Sequence, residues 1–112
     1  MPLKRITLYK FKNSEIKISM EIYFNEKDQL IFDGYDIGKT VEEAWGDSDY
    51  EYTYTIEPKE VDKLYPLFGI NNSEKQKLLV EIKNRFEGNE AYSKFGQFME
   101  ENNIDYIPFS WT

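Results

Sequence analysis

Residues 15–24 read EIKISMEIYF, and they decide the fold. Ile16, Ile18, Met20, Ile22 and Phe24 alternate without a break with Glu15, Lys17, Ser19, Glu21 and Tyr23. A period of two places each set on one face of an extended chain, so the segment is a strand with one apolar side. On its N-terminal side, Lys12-Asn13-Ser14 supplies turn residues and Lys4–Lys12 reads as a preceding strand, which makes a hairpin. On its C-terminal side, Asn25-Glu26-Lys27-Asp28 is a polar turn, followed by a short strand over Gln29–Asp33 with Leu30 and Phe32 on one face. The next stretch, Asp33-Gly34-Tyr35-Asp36-Ile37-Gly38, carries two glycines and predicts tight turning rather than regular structure.

Thr40-Val41-Glu42-Glu43 matches the S/T-x-x-E capping box and predicts one helical turn over Val41–Trp45, stopped by Gly46. Asp47-Ser48-Asp49 reads as loop. Tyr50, Tyr52, Tyr54 and Ile56 then alternate with Glu51, Thr53 and Thr55 as a fourth strand. Beyond Ile56 the period lengthens to about 3.6, the spacing of a helix. Pro58 suits a first helical position ahead of the stripe Val61, Leu64, Tyr65 and Phe68, which Pro66 should distort or end. Ser73 with Gln76 forms a capping box before Leu78, Leu79, Ile82 and Phe86, with Gly88 as the stop. Ala91–Asn102 is a third helix with Tyr92, Phe95, Phe98 and Met99 inward, weakened by Gly96. The tail Ile104–Trp111, which holds Pro108, is expected to dock as an extended segment. The architecture expected is α+β: an antiparallel meander of about four strands, followed by two to three helices packed on one face, with residues 1–112 as a single domain.

Composition narrows the chemistry. There is no cysteine and no histidine among the 112 residues. Disulfides, thiolate nucleophiles, His-containing triads, His-ligated zinc and two-His iron centres are therefore excluded. A carboxylate pair, a perturbed lysine, a tyrosine or a hard metal ion could still support catalysis. Aromatic residues make up 17 % of the chain, enough bulk for one core despite 31 % charged residues. Met1–Phe11 has Lys4 and Arg5 but no apolar run behind them, so a cytoplasmic location without an export signal or a membrane span is expected.

Charge is unevenly placed. Asp33, Asp36, Glu42, Glu43, Asp47, Asp49 and Glu51 face a single lysine, Lys39, so this short stretch holds -6 of the net charge of -7. Tyr35, Trp45 and Tyr50 lie among these acids. A concentrated negative field attracts a basic partner or a cation and repels nucleic acid and anionic membranes, while aromatic side chains anchor interfaces. The candidate partner-binding residues are accordingly Tyr35, Asp36, Glu42, Glu43, Trp45, Asp47, Asp49 and Glu51. The same acids could simply keep the protein soluble.

A calcium loop starting at Asp47 fails, because Tyr52 stands where glycine is needed and Pro58 where the bidentate glutamate belongs. A carboxylate-based or metal-assisted enzyme built on Asp47 with Glu51, or Asp36 with Glu43, has no spacing signal behind it. No cofactor is expected. Lys75, Lys77, Lys83 and Arg85 alternate with Glu74, Glu81 and Glu87, the wet face of a helix rather than a nucleic-acid footprint.

The string Gly34–Tyr52, GYDIGKTVEEAWGDSDYEY, resembles a segment shared by a family of small bacterial proteins, with no activity attached to it. More loosely, an acidic α+β chain of this size resembles the immunity proteins of bacterial toxin systems. That resemblance implies a non-catalytic inhibitor whose acidic, aromatic-bearing surface blocks a basic toxin.

Overall fold

Among the described residues five strands are formed: β1 (Ile6–Lys12), β2 (Ile16–Phe24), β3 (Leu30–Gly38), β4 (Asp49–Ile56) and β5 (Ile107–Trp111). Four helices separate the last two: α1 (Pro58–Val61), α2 (Leu64–Leu67), α3 (Lys75–Phe86) and α4 (Ala91–Glu101). The computed structural model describes residues 5–14, 16–38, 49–72 and 74–111, with the backbone alone at Asp49 and Trp111. The sheet order is β1-β2-β3-β4-β5 with every neighbouring pair antiparallel, so the α+β meander read from the alternation is the architecture observed.

Side-chain amides set the tight turns. Asn13 Oδ1 accepts from the Ile16 N–H at 2.8 Å and closes the β1–β2 hairpin. In the β2–β3 turn, Asn25 Oδ1 accepts from the N–H groups of Lys27 at 2.9 Å and Gln29 at 3.0 Å, and Asp28 adopts φ +60°. Asparagine and aspartate suit these places because a short polar side chain can replace a backbone partner and tolerate a left-handed conformation.

Two segments depart from the sequence expectation. The glycine-bearing stretch is not a turn but the second half of β3, paired through Ile37 with β2 and β4. Gly34 lies opposite Tyr52 in the register, and a Cβ on Gly34 would collide with the Tyr52 ring. Glycine is thus required by an aromatic ring lying across the strand, an arrangement that offsets glycine's poor strand propensity. The C-terminal tail, expected only to dock, forms edge strand β5 on β4. An edge tolerates Pro108, which cannot donate to a ladder.

The inner face of the sheet carries the core. Ile22, Leu30, Phe32 and Ile56 are wholly buried beneath Leu78, Leu79 and Ile82 of α3 and Phe95 and Met99 of α4. Each such side chain contributes roughly 1.5–3 kcal/mol relative to exposure. Helix α3 lies over β1 and β2, while α4 covers β3 and β4, with the Phe95 ring stacked 5.9 Å from that of Phe32. Gly96, read as a weakness of α4, is where the Tyr54 hydroxyl meets the helix, and a Cβ there would strike it.

The expected first helix is divided into α1 and α2 at Asp62–Lys63. Pro66 explains the division, because it has no N–H to donate to Asp62 and instead occupies the first turn of α2, where no donor is needed. Gly88, at φ +123°, donates its N–H to the Leu8 carbonyl at 3.1 Å, tying the α3–α4 junction to the bulge between Thr7 and Tyr9 in β1. The capping box at Thr40–Glu43, the helical turn over Val41–Trp45 and the cap at Ser73 lie outside the described residues. Among the described residues no helix is long and apolar enough to cross a membrane.

Candidate partner-binding cleft

Beyond the core, the inner face changes character. Successive cross-strand rows are Ile22–Phe32–Tyr54, Met20–Gly34–Tyr52 and Ile18–Asp36–Tyr50, running from the covered centre toward the end of the sheet from which residues 39–48 join β3 to β4. The first turn of α4 sets Tyr92 against Phe32, Tyr54 and Tyr52 of the first two rows, and with Ser93, Asn89 and Ser110 it lines a cleft of about 520 Å³. Asp36 is the one charged side chain among the described residues lining it.

The Tyr52 hydroxyl donates to Asp36 Oδ1 at 2.9 Å. Burial raises the Asp36 pKa above the ordinary aspartate value, and the hydrogen bond from Tyr52 opposes this in part. No lysine or arginine among the described residues pairs with Asp36. Asp33, three residues earlier, differs: it faces Arg5 Nη1 at 3.9 Å on the opposite side of the sheet. Its pKa is also raised by burial, but the Arg5 charge opposes the rise.

Tyrosine rings build the wall. Tyr92 stacks on Tyr54 with centroids 4.0 Å apart and planes 2° from parallel, and meets Tyr52 edge-on at 4.6 Å. Tyr50 lies 5.6 Å from Tyr52, and outside the cleft lining Tyr106 extends the ring cluster, edge-on to Tyr54 at 4.8 Å. Tyr92 donates to the Thr53 carbonyl at 3.2 Å, which holds the stack on β4. Burial pushes the Tyr52 and Tyr92 phenols well up, so both are neutral donors at any physiological pH. Tyr106, donating to Glu100 Oε1 at 2.6 Å, is pushed up to about 12, chiefly by that bond.

The structure separates the residues that the charge pattern groups together. Asp36 points into the cleft, whereas Tyr35 and Glu51 stand opposite each other in the register and share the outer face. Asp49 pairs with Ile37, two positions further along β3 and β4. Glu42, Glu43, Trp45 and Asp47 lie outside the described residues. The residues that the charge pattern does not single out are Tyr52, Tyr92, Asn89, Ser93 and Ser110. The tyrosine alternation in β4 is a signal for the first of these, but the other four reach the cleft through the α4 crossing and the β5 pairing, which no local pattern encodes.

No family model, no curated protein and no solved structure matches this chain.

Proposed function

We propose that the chain is a non-catalytic binding protein that occludes or sequesters a basic protein partner in the cytoplasm, as a toxin-neutralising immunity protein does. The observation that carries this reading is the placement of Asp36. A carboxylate without a cationic partner among the described residues sits between tyrosine rings, at the sheet end from which the acidic connection leaves. Negative charge steers a cationic surface in, and aromatic rings give it a desolvated seat. The lack of any histidine or cysteine supports binding over catalysis. Glu42, Glu43, Asp47 and Asp49 supply steering in this reading, with Trp45 as a contact residue; Tyr35 and Glu51, on the outer face of the sheet, lie away from the seat.

The test is capture on the immobilised chain from the native host at low and high salt, followed by association kinetics with whatever basic protein is retained. Capture should weaken at high salt, and Asp47→Lys with Asp49→Lys should slow association by about tenfold or more while the fold is unchanged. If low salt retains no basic protein, the reading fails.

A further inference from the structure

Resting on that partner-binding reading, we infer that the cleft seats one arginine side chain of the partner, its guanidinium paired with Asp36 and lying against tyrosine rings. Three observations select arginine. First, Asp36 is oriented before anything binds: Oδ1 accepts from Tyr52 at 2.9 Å. Oδ2 accepts no hydrogen bond from the described residues and is the acceptor an incoming donor would meet. Second, the cleft is walled by the rings of Tyr50, Tyr52 and Tyr92. A guanidinium is weakly hydrated, planar and able to stack on such rings, whereas an ammonium is a strongly hydrated point charge that loses more on entering. Third, the other acceptors and donors at the rim, Asn89, Ser93 and Ser110, are neutral. A guanidinium spreads five N–H donors over a plane and can engage a carboxylate and such groups together. The volume, about 520 Å³, falls within the range of sites that enclose small ligands.

Charge balance argues the same way. Cations already serve six other described acids: Arg5 faces Glu21 and Asp33, Lys75 faces Asp28, Lys63 faces Glu60, Lys83 faces Glu87 and Lys94 faces Glu90. Asp36 carries the cost of partial burial with only a phenol for company, and a guanidinium would convert that cost into a desolvated ion pair.

The experiment uses the full chain and three small probes at low ionic strength: N-acetylarginine amide, its lysine counterpart and its citrulline counterpart, which keeps the arginine shape without the charge. Backbone amide NMR shifts report where each binds. The arginine probe should move resonances of Asp36, Tyr50, Tyr52 and Tyr92, the lysine probe should bind about fivefold more weakly, and citrulline should leave them in place. Asp36→Asn keeps an acceptor for Tyr52 and should reduce arginine binding by about tenfold or more, while Glu21→Gln on the outer face should not change it. Equal binding of lysine and arginine, shifts outside the cleft, or arginine binding unaltered in Asp36→Asn would each overturn the inference. A captured partner that binds Asp36→Asn as well as the native chain would overturn the pocket and leave the partner reading standing. Arginine bound in the cleft with no basic protein captured would do the reverse.

Discussion

The two halves of the inner sheet face share the same strands and register, yet one is sealed and the other open. At Ile22, Leu30, Phe32 and Ile56 the face is wholly buried. At Ile18, Asp36 and Tyr50 it is half-buried. Length is the simplest cause. A nine-residue strand spans about 30 Å and a twelve-residue helix only about 18 Å, so α3 and α4, even laid along β2 and β3, cannot roof the whole sheet. The sealed half carries the stability of the fold, and the open half is free to carry groups that a core would reject. Asp36 belongs to the second kind.

The largest effect should come from breaking the sealed half. Phe32 touches Tyr54, Tyr92 and Phe95, so Phe32→Ala removes the ring on which both layers close. A loss of about 3–5 kcal/mol is expected in urea denaturation. A loss under about 1 kcal/mol would mean that the covered half does not carry the stability of the fold.

The boundary row, Met20–Gly34–Tyr52, joins the halves and should respond less. Gly34→Ala forces a methyl group into the Tyr52 ring, an overpacking that costs about 1–3 kcal/mol. Because the clash is with the ring, Tyr52→Phe should not relieve it, whereas Tyr52→Leu should recover part of the loss. A double-mutant cycle measures this coupling directly. If Gly34→Ala is tolerated without cost, close approach of the ring is not why glycine stands there.

This same row shows what the sequence can and cannot disclose. The strand at Ile16–Phe24 and the helices around Leu79 and Phe95 were legible, because an apolar face repeats at the period of the element that buries it. β3 was legible only to Asp33. Glycine and aspartate weaken any local strand signal, and the compensation comes from Tyr52, far along the chain. A strand that stops at Asp33 carries no parity to set Tyr35 and Asp36 on opposite faces, and charge then groups the acids where direction would divide them. Pro108 similarly masked β5, although Ile107, Phe109 and Trp111 alternate around it. Of the residues that the charge pattern groups, Asp36 lines the cleft; the pairing partners that shape the cleft are non-local.

The smallest effects, and the sharpest contrast, lie in two carboxylates with opposite pH behaviour. Glu60 is a buried acid on the sealed side: Oε1 accepts from Lys63 Nζ at 2.7 Å and from the Asp105 N–H at 2.9 Å, which anchors the approach to β5. The hydrogen bond from Lys63, then that from the Asp105 amide, holds its pKa below the ordinary glutamate value. Its contribution is therefore present above the unfolded pKa and lost as pH falls through the folded one. Glu60→Gln should lower the melting temperature at neutral pH and make no difference in strong acid. Asp36 runs the other way. Its folded pKa is raised, mainly by burial, so the folded state holds its proton longer than the unfolded chain, and stability falls as pH rises through that window. Asp36→Asn should then match the native chain at low pH and melt slightly higher at neutral pH, while losing affinity for the arginine probe. A residue whose replacement stabilises the fold and weakens binding serves recognition rather than stability. Melting curves of both variants across pH 3–8 would test this, and a lower melting temperature for Asp36→Asn at neutral pH would return Asp36 to a structural role.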